Sequence, residues 1–335
     1  MSEYAKSGVN INAKMALIGH IKDAVHSTHT PNVLAGVGAF GGLFRAGGQG
    51  WPEFPVLVAS TDGVGTKTML AAQAGRYRGL GHDIVNHSIN DILCQGARPL
   101  FFMDYIASNR LDQAVVAEII EGIAEACKAA DCVLLGGETA EMPGVYQPGQ
   151  LDLAGTIVGV ASEPDLLPSK NIKPGDVLIG LPSSGPHTNG YSLIRRVFDG
   201  VSLDTEFEGV GSLGDALLAP HRSYLDLVQQ IKATIPLKAL AHITGGGFFD
   251  NIPRVLPGGI GVEIQTAGWT VPPLFQLIQQ RGEISRDEMY HVFNMGIGMV
   301  AIVDADTLNQ AQTELREHEI KIIGRVIEGE GVRLI

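Results

Sequence analysis

The chain has 335 residues, of which 45% are hydrophobic and 18% charged, with a mean hydropathy of +0.15, and this length exceeds the usual single core, so two globular domains are expected. A formal charge of -12 and a pI near 5.2, with no basic stripe in either half, argue against nucleic acid or an anionic membrane as the main partner, and no apolar run approaches the roughly 18 residues of a membrane span. The three cysteines, Cys94, Cys127 and Cys132, lack CxxC spacing, and residues 1–12 contain no apolar leader core, so reduced thiols in a cytoplasmic protein are expected.

Residues 1–50 read as irregular apart from a short helix over 13–25, and they close on the glycine-dense stretch 36–50. A G-x-G-x-x-G match at Gly36–Gly41 lacks the preceding hydrophobic strand and the following helix of a dinucleotide site. A long glycine-rich loop just before a candidate phosphate loop is expected to be mobile without nucleotide and ordered with it. The apolar strand Pro55–Ala59 then stops at Ser60-Thr61-Asp62-Gly63-Val64-Gly65-Thr66-Lys67. Glycines permit a tight turn, a carboxylate suits a hard cation, and an ammonium beside exposed amides suits phosphate oxygens. A solvated surface turn accounts for the same residues. The P-loop is excluded, since its lysine must directly follow the second glycine.

Thr68–Ala74 reads as helical, and so does His82–Gln95. On the latter, Ile84, Val85, Ser88, Ile89 and Ile92 share one face, while Asp83, Asn86, His87, Asn90 and Asp91 share the other. That second face holds poor helix formers instead of Lys, Glu and Gln, so a binding role or packing against another element is expected for it. Strand Pro99–Ile106, helix Leu111–Ala130, strand Cys132–Leu135 and strand Leu153–Ala161 follow. Between the last two, Gly136-Gly137-Glu138 repeats the association of strand, glycine and acid.

Pro164, Pro168 and Pro174 mark a boundary, which divides the chain into 1–168 and 169–335. Strand Asp176–Leu181 leads through a small-residue loop, Pro182 to Ser192, into a helix from Leu193; such a loop either holds an anion on helix-start amides or is an ordinary cap. Helix Ala219–Thr234 precedes strand Ala239–Ile243, which empties into Thr244-Gly245-Gly246-Gly247. Three glycines at a strand end point to a close backbone approach. Strands Gly261–Gln265, Met299–Val303 and Ile320–Ile327 alternate with helices Pro272–Gln280 and Ala305–His318, so the second half is also α/β.

Taken together, Thr61–Lys67, Asn90-Asp91 with Gly96-Ala97-Arg98-Pro99, Gly136–Pro143, Ser183–His187 with Asn189–Ser192, and His242–Phe248 with Asn251–Arg254 resemble the phosphoribosylformylglycinamidine cyclo-ligases of purine biosynthesis, nearly end to end. The resemblance implies a two-domain α/β (α+β) protein with mixed sheets and packed helices, whose first-domain sheet forms a shared barrel in a homodimer. It implies an ATP- and Mg²⁺-dependent reaction on formylglycinamidine ribonucleotide: the formyl amide oxygen is activated as a phosphate ester, and an amidine nitrogen then closes the ring. By match of motif it implies metal ligands Asp62, Asp91 and Glu138, and nucleotide contacts Gly63, Gly65, Thr66, Lys67 and Asn90. Substrate contacts would be Ser184, Gly185, His187, Asn189, Gly245, Gly246 and Gly247, with Lys67, Asp91 and His187 catalytic. Residues 1–168 would bind ATP and metal and dimerise, and 169–335 would complete the substrate cleft. His26-Ser27-Thr28-His29-Thr30-Pro31 stands where several relatives are rich in lysine and arginine, so a lysine contact to ATP from there is not expected. A thiamine monophosphate kinase and a nucleotide-binding subunit without turnover are the competing readings.

Overall fold

The computed structural model describes residues 21–35, 42–48, 50–168 and 171–335. Of the helix expected over 13–25, the described part, from 21, is helical; Gly36–Gly41 and Gln49 of the glycine-dense stretch lie outside the described residues. The chain divides into two compact units, one formed by Met1–Ile92 and Arg98–Ser162, the other by Leu93–Ala97 and Glu163–Ile335.

In the first unit a short pair, β1 (Val33–Ala35) and β2 (Leu43–Phe44), accompanies a four-stranded sheet. Its strands are β3 (Pro55–Gly63), β4 (Arg98–Ser108), β5 (Val133–Glu141) and β6 (Leu151–Ser162), in the spatial order β3-β6-β4-β5, with only the β4–β5 pair parallel. The helices are α1 (Lys67–Ala74), α2 (Arg78–Leu93) and α3 (Gln113–Ala129). Helix α3 starts where Asp112 accepts hydrogen bonds from the amides of Ala114 and Val115, at 2.9 and 3.3 Å. The apolar face of α2 is buried as its period demands: Ile84, Val85, Ile89 and Ile92 are at most 1% exposed, each worth roughly 1.5–3 kcal/mol relative to exposure. A Cβ on Gly155 of β6 would lie 2.0 Å from the Phe102 ring and 2.9 Å from Ile84, so this glycine lets α2 lie close on the sheet. The other sheet face is apolar and open, with Leu57 at 61% and Met103 at 37% exposure.

The strand expected to end at Leu135 runs on to Glu141. Its continuation is held by parallel pairing with β4, so Glu138 stands in a strand and not in a loop.

The second unit is built on a six-stranded sheet comprising β7 (Val177–Pro182), β10 (Leu237–His242), β11 (Ile260–Ile264), β12 (Ile297–Val303), β13 (Lys321–Glu328) and β14 (Gly331–Leu334), in the order β10-β12-β7-β13-β11-β14. A separate ribbon pairs β8 (Glu206–Phe207) with β9 (Gly211–Ser212). Every residue of β12 is buried, so both its faces are covered. Because β12 is antiparallel to both β7 and β10, these two run the same way, and the loops that follow them leave from one edge. The helix expected over Ala219–Thr234 begins only at Leu225. Pro220 biases Ala219 away from helical backbone and offers no N–H of its own, and 219–224 is irregular. The three cysteines are buried and form no disulfide.

Candidate functional site

Asp83, His87 and Asp91 are spaced four apart on α2, so they line one stripe, and Ser60 and Asp62 of β3 face that stripe. Ser60 Oγ donates to Asp91 Oδ2 at 3.2 Å, and His87 Nε2 lies 2.9 Å from Asp62 Oδ2 and 3.7 Å from Asp91 Oδ2. Burial works against a charge on His87, but the bond to Asp62 and the nearby carboxylates of Asp91, Asp62 and Asp83 prevail and raise its pKa above the ordinary histidine value. The Asp62 and Asp91 side chains remain 45% and 28% exposed, so their oxygens reach solvent. Two carboxylates and a hydroxyl are hard oxygen donors, a set that fits Mg²⁺ or a similar cation.

Lys67 was expected to touch phosphate. Its ammonium instead lies 2.8 Å from each carboxylate oxygen of Asp83, with both side chains at 1% exposure or less. The pair forms the buried end of that stripe and fixes α1 to α2, since an unpaired charge there would carry its full desolvation penalty. Gly63, Gly65 and Thr66 form the strand-to-helix connection; Gly65 has φ +68° and is exposed, whereas Asn90 is buried at 0%.

Asp62, Gly155, Asp104 and Gly137 are register partners in one row across the sheet. Glu138 is the next residue and pairs with Tyr105, so strand alternation turns it to the opposite face. Since β3 and β5 are opposite edges, three strand spacings, about 14 Å, separate Glu138 from Asp62 in one chain. Within a chain, therefore, Asp62 and Asp91 come together and Glu138 does not join them.

Asp104 is buried beside Gly137, where a Cβ would lie 2.3 Å from its Oδ1. Burial pushes its carboxyl from 3.8 up to about 7, opposed by the bond to its own backbone and helped to a smaller extent by the charge of Glu138. The penalty for ionising Asp104 is absent below its unfolded pKa, grows as pH rises towards the folded value, and is constant above it. Asp104→Asn should therefore gain stability over the parent between pH 4 and pH 8, by up to roughly 4 kcal/mol. Urea unfolding at both pH values checks this; an unchanged difference would contradict it.

In the second unit the loops after β7 and β10 meet at the start of β12. Ser183 Oγ donates to Asn294 Oδ1 at 3.0 Å, and Asn294 Nδ2 donates to the Gly185 carbonyl at 2.8 Å. The Asn251 amide donates to the carbonyls of Thr244, Gly245 and Gly247, and a Cβ on Gly245 would approach Asn189 Oδ1 to 3.3 Å. Ser184, Gly185, Asn189, Gly245, Gly246 and Gly247 thus share one rim. His187 belongs to the same loop but is 0% exposed, accepting from the Ser184 amide at 3.3 Å and stacking on His221 at 3.9 Å. Its ring supports the loop from beneath.

The model described as "AIR synthase related protein, N-terminal domain" matches residues 51–161, and the corresponding C-terminal domain matches 173–335. Proteins named phosphoribosylformylglycinamidine cyclo-ligase are 46% identical in Alkaliphilus metalliredigens, over 97% of this chain and 95% of that one, and 47% in Chromobacterium violaceum, over 98% and 96%. The chain belongs to the phosphoribosylformylglycinamidine cyclo-ligase family. Solved structures share the fold at low identity: a thiamine-monophosphate kinase from Stenotrophomonas maltophilia has a TM-score of 0.70 at 18% identity, covering 95% of both chains. The hydrogenase maturation protein HypE of E. coli gives 0.68 at 16%, covering 96% of this chain and 93% of that one. For a cyclo-ligase of this family, the residue motifs alone did not assign Asp83, His87, Asp104, His221 or His242. The spacing of four along α2 was the available signal for the first two.

Proposed function

We propose that the chain catalyses the ATP-dependent cyclisation of formylglycinamidine ribonucleotide to aminoimidazole ribonucleotide, with release of ADP and phosphate, as a cytoplasmic enzyme of purine biosynthesis. The observation that carries this is the end-to-end identity with proteins named for that reaction. The γ-phosphoryl group passes from ATP to the formyl amide oxygen, the bond to ADP breaking as the new P–O bond forms. The amidine nitrogen then attacks the activated carbon, and the oxygen leaves with phosphate. Such chemistry needs charge neutralisation and positioning more than covalent help.

Asp62 and Asp91 are assigned to Mg²⁺, which would neutralise phosphate charge, with Ser60 and His87 orienting the two carboxylates. Gly63, Gly65 and Thr66 are assigned to nucleotide phosphates. The rim of Ser184, Gly185, Asn189 and Gly245 to Gly247 is assigned to the ribotide, with His187 positioning its loop. The open apolar face that includes Leu57 and Met103 supports a homodimer, since a lone sheet would leave it in water. Among the described residues no helix is long and apolar enough to cross a membrane.

ADP release should require formylglycinamidine ribonucleotide and should not occur with thiamine monophosphate. Turnover of the latter alone would replace the proposal with a kinase. Sedimentation at micromolar concentration should give the dimer mass, and a monomer would refute the assigned interface.

A further inference from the structure

The first unit holds a half-open cavity of about 150 Å³, walled by the end of β4, the first two turns of α3, the connection between α1 and α2 and the loop that leads into β6. Ser108 stands four residues beyond Asp104 on β4, and Asp104 lies two strand spacings from Asp62, so about 16 Å separates this cavity from the Asp62 carboxylate. Ile106, Val116, Ile119 and Leu151 give it an aliphatic wall. Against that wall Ser108, 8% exposed, has its hydroxyl buried without a hydrogen-bond partner among the described residues. A buried hydroxyl left so has lost its hydration with nothing in exchange, and a ligand atom in the cavity would complete it.

At the exposed mouth Arg110 and Asp112 line the same cavity two residues apart without pairing to each other. The Arg110 guanidinium has no hydrogen bond or ion pair among the described residues, and the Asp112 side chain uses Oδ1 alone, for the amides of Ala114 and Val115. Tyr77 completes the polar lining, held in place by its amide, which donates to Glu118 Oε1 at 3.1 Å. Burial, then the charges of Asp112 and Glu118, raise the pKa of its phenol, which stays a neutral donor.

These charges select the ligand. A simple anion would face Asp112 and Glu118, and a simple cation would face Arg110. A molecule that carries both charges a few bonds apart meets both residues, its carboxylate taking a two-pronged contact from the guanidinium and its ammonium the open Oδ2 of Asp112. We propose that this cavity binds a free α-amino acid as its zwitterion, with a short side chain that ends in an uncharged amide. The methylenes lie on the aliphatic wall and the amide meets the hydroxyls of Ser108 and Tyr77, where a second carboxylate would meet the charge of Glu118.

The test titrates the full chain with L-glutamine in a calorimeter. One molecule per chain should bind with a Kd at or below about 1 mM. Glutaramic acid, which is glutamine without its α-ammonium, should bind at least about tenfold more weakly, because Asp112 then faces no cation. Arg110→Met and Ser108→Ala should each weaken L-glutamine at least about fivefold. Ser108→Ala removes only an unpaired hydroxyl, so its urea midpoint should be unchanged or higher, and circular dichroism confirms the fold of both variants. Absence of saturable binding, or a Kd above about 1 mM, overturns the proposal. So does equal affinity for glutaramic acid, or an affinity for L-glutamine that both folded variants leave unchanged.

Discussion

Asp91→Asn should lower turnover by at least about a hundredfold, equivalent to roughly 2.7 kcal/mol of transition-state stabilisation, while raising the Mg²⁺ concentration needed for half-maximal rate. The substitution keeps an oxygen to accept from Ser60 Oγ, now 3.2 Å from Oδ2, but removes the charge that a hard cation prefers. Stability should change by no more than about half a kcal/mol, because the side chain is partly exposed and its size is conserved. Asp112→Asn is the control: it caps α3, asparagine caps as well, and activity should persist. Near-normal turnover in Asp91→Asn would remove the metal assignment.

The second large effect concerns stability. Lys67→Met leaves the Asp83 carboxylate, 0% exposed, without the ammonium 2.8 Å away, and should cost about 3–5 kcal/mol. Adding Asp83→Leu should restore most of the loss, because two apolar side chains suit a buried site better than a carboxylate that has lost its ammonium. Urea midpoints at constant slope measure both steps. If Lys67→Met alone were neutral, the ion pair would not be what joins α1 to α2.

Much of this was legible from the chain. The apolar face of α2 follows from period alone, and its polar face stood out because short acids, amides and histidine are poor helix formers with a reason to be there. The strand bearing Asp62 was clear, because an apolar run stops at acid and glycine. Partnership was not legible. Lys67 reads as a phosphate ligand beside glycines, yet Asp83 lies sixteen residues on and captures it, a pairing that only the packing of α1 on α2 creates. Glu138 follows two glycines and so suggests a loop; pairing with β4 carries the strand through them and turns Glu138 away from Asp62. His221 was hidden inside an expected helix that Pro220 delays, and His187 looked ligand-facing because sequence shows a loop but not which of its side chains points inward.

If ATP activates the formyl oxygen as proposed, that oxygen departs as phosphate. Formylglycinamidine ribonucleotide carrying heavy oxygen in its formyl group, turned over with unlabelled ATP, should yield one labelled oxygen in each phosphate released, alongside equimolar ADP and aminoimidazole ribonucleotide. Label recovered in water, or unlabelled phosphate formed at the same rate without ring closure, would contradict it.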